Sequence, residues 1–598
     1  MVARAVRVGV DTGGTYTDFV TVDGRIVKVL SDRADPARSV RAGIDAMGGA
    51  SSLAHGTTVA TNALLERRGG RTALVTTRGF VDVVEIGRQD RPSLYDPFVD
   101  RPIPLVARAD RYDVGGRLDA TGREVEALDL ASVPALDPEY EAVAVCFLHA
   151  DLDSTHERSV GDELRAQGFD VTLSSEISPE FREFERTATT VVNAYLLAPC
   201  RRYLEALTDL AAEVSVLTSA GGLVPLADAT SRPAALLLSG PAGGVAAGAA
   251  AAVAAGFADA VTFDMGGTST DVCLVIGGRP APASQRDVAG FPIRLPSLDV
   301  HTIGAGGGSI AQIDAGGALV VGPQSAGADP GPACYGRGGT FATVTDADLV
   351  AGRIAASAEF PGLGALDVEA ARHALAAAGV EADGVLAVVD EAMVQAVRSV
   401  TVARGVDPRG LALVAFGGAG PLHACAVAES LGMAAVVVPP RAGVLSAVGI
   451  LSAARQVDLV RSWPPGADPS GIEDGLVDLA VIASREVGGG ATVDVAVDCR
   501  YVGQSHEITV PDTADFEAEH QRRNGYARPD ALVEVVALRA SARLRPEVDI
   551  DELDHVTDRQ GAVGPCVVSE VDCTVWVAPG WRADVHESGS WILTRVER

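Results

Sequence analysis

Residues 9–18 read G-V-D-T-G-G-T-Y-T-D, and residues 262–271 read T-F-D-M-G-G-T-S-T-D. Each segment follows a short apolar run and leads into another, which predicts a strand, a glycine loop and a second strand. We call Asp11–Thr15 the first loop and Asp264–Thr268 the second loop. Two matched copies about 250 residues apart indicate an internally duplicated α/β core.

A loop of the form D-x-G-G-T has the groups needed to hold phosphate. Its glycines let backbone amides approach phosphate oxygens, its threonine donates a hydroxyl, and its aspartate can hold a hydrated Mg²⁺. For one loop alone, a β-turn that requires glycine is an equally good interpretation. The residues predicted to bind phosphate are Gly13, Gly14, Thr15, Thr17, Gly266, Gly267 and Thr268, with Asp11 and Asp264 as catalytic metal ligands.

The element that follows each loop separates nucleotide-binding folds. P-loops and dinucleotide-binding loops run into a helix, whereas these loops run into a strand. No G-x-x-x-x-G-K-[ST] motif occurs in the chain. The pattern therefore predicts an actin-like ATPase, in which two hairpins grip the phosphates of ATP.

A third glycine segment reads F-G-G-A-G-P over residues 416–421, between a predicted strand and a predicted helix. We expect Gly417, Gly418 and Gly420 to contact the adenosine or its α-phosphate. The alternative is that these glycines only let the helix and strand pack closely. His423 follows within one helical turn and is interpreted as a packed histidine.

Residues 299–309, D-V-H-T-I-G-A-G-G-G-S, combine glycines with two ionisable side chains. We place the γ-phosphate or the acceptor substrate near Gly306 and Gly307, with Asp299 and His301 as candidates to polarise the acceptor or carry a proton. The alternative is that Asp299 and His301 cap and pin the loop. Cys334 is a weak candidate nucleophile, because no basic partner lies nearby in the sequence.

Residues 55–62, H-G-T-T-V-A-T-N, predict the end of a strand that turns into a helix. Capping of this helix by Thr57 or Thr58 is enough to explain the segment. The alternative is a contact between the substrate and His55 or Asn62.

The pattern of elements divides the chain into three predicted domains. Residues 1–180 form an N-terminal actin-like half with the first loop, and residues 181–456 form a central half with the second loop. A long helix is expected from about residue 182 to 212, with a break near Pro199. Residues 457–598 predict a separate, mainly β lobe of short strands.

Composition narrows the possible partners and location. The 598 residues include 49 basic and 79 acidic side chains, a formal net charge of −30, which disfavours general binding to nucleic acid or anionic membranes. The uncharged run 234–258 is interrupted by S-G-P-A-G-G, so it predicts a buried helix rather than a membrane span. No signal peptide opens the sequence and the eight cysteines form no C-x-x-C pair, which favours the cytoplasm.

With these motifs assembled, the sequence resembles the hydantoinase A/oxoprolinase family, which comprises ATP-dependent subunits of N-methylhydantoinases, 5-oxoprolinases and acetone-type carboxylases. The segments that carry the resemblance are residues 9–18, 55–66, 183–195, 239–245, 264–271, 301–309, 325–340, 416–424 and 501–507. The resemblance implies an actin/hexokinase/heat-shock-type (ASKHA) fold that uses ATP and Mg²⁺.

The resemblance also implies a reaction and a partner. ATP would phosphorylate an amide or ketone oxygen, and a separate B-type subunit would help to hydrolyse or carboxylate the activated species. We expect hydrolysis of a cyclic amide such as a hydantoin or 5-oxoproline. The alternatives are a subunit of an acetone-type carboxylase and a chaperone-like reactivating ATPase.

Overall fold

The computed structural model describes residues 6–32, 34–360, 363–464, 466–553 and 559–596. It shows a mixed α/β protein with sheets of six, four, nine and four strands. The hairpins predicted around both loops are confirmed, because each loop joins two antiparallel strands.

The first sheet contains the first loop. Arg7–Thr12 pairs antiparallel with Tyr16–Thr21 and parallel with Ser52–Thr57. Its strands, in spatial order, are Leu223–Pro225, Glu213–Leu217, Ser52–Thr57, Arg7–Thr12, Tyr16–Thr21 and Ile26–Leu30.

The second sheet contains the second loop and has the same local order. Ala260–Met265 pairs antiparallel with Thr270–Ile276 and parallel with Ala412–Phe416. Its strands, in spatial order, are Arg279–Pro280, Thr270–Ile276, Ala260–Met265, Ala412–Phe416, Ala435–Val438, Trp591–Arg595, Trp581–Val585 and Ala562–Val563, with His301–Ile303 beside Thr270–Ile276. In both sheets an antiparallel three-strand meander therefore precedes two strands parallel to the one that enters the loop.

Two further sheets flank these. A parallel sheet is formed by Val171–Leu173, Ala142–Cys146, Thr72–Thr77 and Arg111–Val114. An antiparallel sheet is formed by Gln456–Ser462, Val533–Arg543, Thr492–Tyr501 and Ile508–Val510. Short two-stranded pairs are Arg117–Leu118 with Glu124–Glu126, Pro282–Ala283 with Ser297–Leu298, Arg286–Val288 with Phe291–Ile293, Ser309–Ile313 with Leu319–Ser325, Glu359–Phe360 with Gly364–Ala365, and Cys566–Ser569 with Thr574–Val577.

Helices cover the sheets and bury the largest apolar cluster around the second sheet. The α-helices are Pro36–Met47, Val59–Leu65, Val83–Ile86, Thr155–Ala166, Ser174–Ile177, Glu183–Glu205, Leu226–Ser231, Ser239–Ala254, Val344–Val350, Val368–Ala378, Ala382–Val400, Gly420–Leu431, Leu445–Leu451, Ile472–Val487 and Phe516–Asn524.

The long helix differs from its prediction. Glu183–Glu205 continues through Pro199 without the expected break, and it ends seven residues before the predicted 212. Most of its side chains from Glu185 to Leu197 are buried, so packing on all sides outweighs the hydrogen bond that proline removes.

The strands also group differently from the three predicted segments. Strands Glu213–Leu217 and Leu223–Pro225 complete the first sheet although they follow residue 180. The segment after residue 457 divides between the four-stranded antiparallel sheet and the edge of the second sheet, where Trp591–Arg595 pairs with Ala435–Val438. It also contains two helices that the prediction did not include, Ile472–Val487 and Phe516–Asn524.

Candidate active site

The first and second loops face each other across a cavity of about 560 Å³. A Cβ atom added to Gly267 would lie 2.8 Å from Oγ1 of Thr15, so the backbone of one loop contacts a side chain of the other. The predicted residues that line this cavity are Asp11, Gly13, Gly14, Thr15, Asp264, Gly266, Gly267, Thr268, Gly307, Gly417 and Gly418.

Four aspartates converge on this cavity in two matched pairs. Asp11 lies opposite Asp18 across the first hairpin, and Asp264 lies opposite Asp271 across the second. Lys28, from the third strand of the first sheet, forms an ion pair of 2.9 Å with Asp18 and donates a hydrogen bond to the carbonyl of Gly443.

Burial and mutual repulsion raise the pKa of these carboxyl groups. The pKa of Asp11 lies well above its ordinary value because the group is desolvated and lies near Asp18 and Asp264. Desolvation, reinforced by Asp271, raises the pKa of Asp264 to about 7, and desolvation raises that of Asp271 to about 6. Oδ1 of Asp11 is buried and has no hydrogen-bond partner among the described residues. Such a set of hard oxygen donors fits a divalent cation.

One short helix holds these carboxylates in register. The helix Leu445–Leu451 lies against the first sheet, where a Cβ at Gly9 would be 2.5 Å from the carbonyl of Ala447. The same helix places Oγ of Ser446 3.2 Å from Oδ2 of Asp264, to which it donates a hydrogen bond. It thereby connects the first sheet to the second loop.

The third glycine segment packs directly on the second loop. Gly417 has a φ of +79°, and a Cβ there would lie 2.3 Å from Oδ1 of Asp264. The amide of Ala419 donates to the carbonyl of Met265 over 3.0 Å. Only glycine fits position 417, because both the backbone conformation and the space exclude a side chain.

The glycines near residue 306 support the second loop from behind. The amide of Gly307 donates to the carbonyl of Gly266 over 3.0 Å, and that of Gly308 donates to Gly267 over 2.7 Å. Gly306 has no room for a Cβ, which would lie 2.6 Å from the amide nitrogen of Thr268. Gly307 also lines the cavity. These contacts indicate that the segment mainly supports the second loop.

Several predicted site residues are placed outside the cavity lining described here, namely Thr17, Gly306, Gly420, Asp299 and His301. Thr17 is buried and contacts Ser31, which donates to the carbonyl of Gly13, so Thr17 braces the first loop. Asp299 forms an ion pair with Arg404 and does not line the described cavity. The geometry gives no support to proton transfer by Asp299 or His301, and that role stays a prediction.

Comparison with known proteins defines the family. Residues 7–168 match the model for the hydantoinase/oxoprolinase N-terminal region, and residues 186–458 match the hydantoinase/oxoprolinase model. The chain belongs to the hydantoinase/oxoprolinase family. The predicted resemblance is therefore confirmed.

Two relatives are the most informative. One matches this chain over its whole length, and the other is longer than this chain. The chain is 33% identical to caprolactamase subunit alpha of Pseudomonas jessenii, over 99% of this chain and all of that one. It is 34% identical to a 5-oxoprolinase of Pestalotiopsis fici over 86% of this chain, which spans only 47% of the relative.

Two solved structures have the same overall fold as this chain. The ATP-dependent caprolactamase of Pseudomonas jessenii superimposes with a TM-score of 0.85 and 32% identity, covering 99% of this chain and all of that one. A nucleotide-free acetone carboxylase structure superimposes with a TM-score of 0.76 at 22% identity, with 99% and 100% coverage, which shows a shared fold. Within the described ranges, no helix has both the length and the apolar composition needed to cross a membrane.

Some residues that line the cavity were not predicted from the sequence. Asp18 and Asp271 end the repeated motif D-x-G-G-T-x-T-D, so the repeat itself could have identified them. Lys28 stands out as the one charge in the strand I-V-K-V-L. Asp572, in the turn between strands Cys566–Ser569 and Thr574–Val577, also lines the cavity and accepts a hydrogen bond from the amide of Gly443, and no sequence signal marks it.

His55 and Cys334, two further candidates from the sequence, are buried in the protein interior. His55 is buried with its Nε2 2.7 Å from the hydroxyl of Tyr203, and burial lowers its pKa to about 3. Burial raises the pKa of the Cys334 thiol far above its ordinary value, which disfavours the thiolate that a nucleophile requires. Neither residue lines the described cavity.

His423 lies in a buried ion cluster behind the third glycine segment. Its Nδ1 is 2.6 Å from Asp390 and its Nε2 is 3.3 Å from Asp348, while Arg353 is 3.3 Å from Asp390. Burial alone would lower the pKa of His423, but the two aspartates outweigh burial and raise it to about 9. The cluster joins helix Gly420–Leu431 to two neighbouring helices.

We expect His423→Gln to lower the free energy of unfolding by about 3 kcal/mol, because it leaves the buried carboxylate of Asp348 without its cation. The raised pKa means that the wild-type stabilisation is complete below about pH 6.5 and is lost as pH rises through about 9. Urea unfolding between pH 6 and 10 tests both statements. His373→Gln, at an exposed histidine on a neighbouring helix, is the matched control. Wild-type stability of His423→Gln at pH 7 would contradict a charged cluster around His423.

Proposed function

We propose that this chain is the ATP-binding subunit of an enzyme that hydrolyses a cyclic amide by phosphorylating its carbonyl oxygen. The observation that carries the proposal is the meeting of two matched D-x-G-G-T hairpins across one cavity lined by aspartates. Neither hairpin leads into a helix, which supports an actin-like grip on ATP over a P-loop.

The fold proposed for this function is a duplicated ASKHA-type core. The shared strand order of the first and second sheets supports it, with one loop contributed by each half. The first half then comprises mainly residues 1–180 and the strands up to Pro225, and the second half runs on to residue 456. Residues 457–598 add a largely β region whose turn at Asp572 reaches the cavity.

Each part of ATP has proposed partners along the cavity. The amides of Gly14 and Gly267 and the hydroxyls of Thr15 and Thr268 would bind the phosphates. Gly13 and Gly266 would line the phosphate site, while their own amides close the two hairpin turns by donating to the carbonyls of Tyr16 and Ser269. Gly417 and Gly418 would lie against the adenosine or its α-phosphate, with Gly420 supporting that turn. Asp11 and Asp264 would hold Mg²⁺, which when bound offsets the charge of the phosphates.

The proposed reaction balances in three steps. The γ-phosphoryl group passes from ATP to the carbonyl oxygen of the amide, and ADP leaves. Water then adds to the activated carbon, and the protonated ring nitrogen departs to leave an acyl phosphate. A second water releases phosphate and the open-chain amino acid. The chain's own residues align the reactants and offset charge, which is what phosphoryl transfer chiefly requires.

A second subunit and a cytoplasmic location complete the proposal. The full-length relative is named as an alpha subunit, which supports a hetero-oligomer with a B-type partner. The net charge of −30 supports a function without nucleic acid or membrane. No step of the proposed reaction is assigned to Asp299 or His301.

ATP turnover with defined acceptors tests the function. The purified chain, together with any subunit that copurifies, is mixed with MgATP and with ε-caprolactam, hydantoin, 5-oxoproline, or acetone plus bicarbonate. We expect a cyclic amide to stimulate ADP release together with ring opening. Stimulation that requires acetone and bicarbonate would favour the carboxylase alternative, supported by the acetone carboxylase fold. Turnover indifferent to all acceptors would favour a reactivating ATPase and contradict the proposal.

A further inference from the structure

We infer that the acceptor binds at one wall of the cavity, and that this acceptor is an uncharged cyclic amide. We call this wall the acceptor wall; it consists of the cavity-facing residues Thr58, Thr61, Asn62, Leu65, Leu238 and Pro241. The inference rests on the proposed function and deepens it by naming the substrate class.

The acceptor wall adjoins the first loop. The hydroxyl of Thr58 donates to the carbonyl of Thr12 over 3.2 Å. A Cβ at Gly240 would lie 3.5 Å from Oδ1 of Asp11 and 3.9 Å from Cγ2 of Thr58. The third glycine segment instead contacts Asp264 and Met265 of the second loop. If the nucleoside lies beside the third glycine segment, phosphates held between the two loops would lie on the side of Asp11 and the acceptor wall.

Asn62 gives this wall a group complementary to a lactam. Its carboxamide is exposed on the cavity side of helix Val59–Leu65 and donates through Nδ2 to Oγ1 of Thr58 over 3.3 Å. The side chain also has a second N–H group and a carbonyl oxygen. The amide of a small ring is cis, so its C=O and N–H lie on one side and can pair with both groups of a carboxamide. A ketone can accept only one of these bonds.

Leu65, Leu238 and Pro241 form the apolar part of the wall. Leu65 lines the cavity and is 57% exposed, which leaves its surface available to a ring. Leu238 has a φ of +54°, a conformation that a residue with a side chain rarely adopts. Its amide donates to Oγ1 of Thr61 over 2.9 Å, which holds the backbone in this form. Strain of this kind is concentrated at functional sites.

Charge excludes a carboxylate on the acceptor. Lys28 is the only basic side chain among the described residues that line the cavity, and Asp18 already pairs with it. Acidic side chains dominate the remaining charged lining, including Asp11, Asp264 and Asp572. An acceptor that carries its own carboxylate would gain no cationic side chain as a partner here and would face a lining that is mainly acidic. A neutral lactam therefore fits this wall, and 5-oxoproline does not.

Acceptor-dependent ADP release tests the substrate class, with ε-caprolactam as the neutral probe and 5-oxoproline as the charged one. We expect ε-caprolactam to stimulate turnover and 5-oxoproline to give at least about tenfold lower kcat/KM. Equal or greater stimulation by 5-oxoproline would overturn the inference while the proposed function stands. No stimulation by any cyclic amide, with MgATP still bound, would overturn both.

Variants of the wall test its residues separately. Asn62→Leu is expected to raise the KM for ε-caprolactam about tenfold or more, without changing the Kd of a fluorescent ATP analogue. Leu65→Arg, which supplies the missing cation at an exposed position, is expected to raise kcat/KM for 5-oxoproline. Glu66→Gln, just beyond the same helix and off the cavity lining, is the matched control. An unchanged lactam KM in Asn62→Leu would remove Asn62 from the site.

Discussion

Asp264→Asn and Asp11→Asn are each expected to lower ATP turnover at least about 100-fold in a protein that stays folded. Asparagine keeps the size of the side chain but removes the charge that would hold Mg²⁺ between the two loops. ADP release at saturating MgATP measures the effect. Asp23→Asn, at an exposed hairpin turn, is the control. Normal turnover in both cavity variants would remove the metal assignment.

Thermal unfolding without nucleotide gives an independent readout of the same variants. Burial and Asp271 raise the pKa of Asp264 to about 7, so in metal-free protein the folded state loses stability as pH rises from about 4 through 7. Asp264→Asn should therefore not lower the metal-free Tm at pH 8. Added MgCl₂ should stabilise the wild type more at pH 8 than at pH 6, since protons compete with the cation. The variant should lose most of that response.

Gly417→Ala is expected to weaken ATP binding at least about tenfold and to lower the free energy of unfolding by about 1–3 kcal/mol. Position 417 has a φ of +79°, and the new Cβ would meet Oδ1 of Asp264 at 2.3 Å and the carbonyl of Met265 at 2.5 Å. The second loop must therefore move. The Kd of a fluorescent ATP analogue and urea unfolding measure the two effects.

The neighbouring glycine provides the control for that variant. Gly418 also lines the cavity, but a Cβ there would have no heavy atom within 4 Å. Gly418→Ala should keep wild-type stability, because the added Cβ meets no atom of the protein. Equal losses of stability in both variants would contradict a specific contact between Gly417 and the second loop.

Most of the central architecture could be predicted because its signals are local. The hairpins around both loops follow from glycines between apolar runs, and the pairing of Asp11 with Asp18 and of Asp264 with Asp271 follows from the length of the repeated motif. The repeat also indicated that both loops serve one ligand. These features depend on residues a few positions apart, where spacing and backbone geometry are enough.

The break expected at Pro199 shows where local signals fail. Proline removes a helical hydrogen bond, which is a property of the residue, but burial of the helix Glu183–Glu205 on most sides is a property of the whole fold. Packing energy from distant segments therefore decided the outcome. The same holds for Trp591–Arg595, which completes the second sheet instead of a separate lobe.

The sequence by itself determined the two D-x-G-G-T loops, the strands around them and the family, since each depends on contiguous residues. Only the tertiary structure decided which other side chains reach the cavity, such as Asn62, Lys28 and Asp572, and placed Asp299 outside its lining. The physical reason is that a cavity wall is assembled from segments hundreds of positions apart. Their distances are fixed by packing of the sheets and helices, and no spacing in the chain encodes them directly.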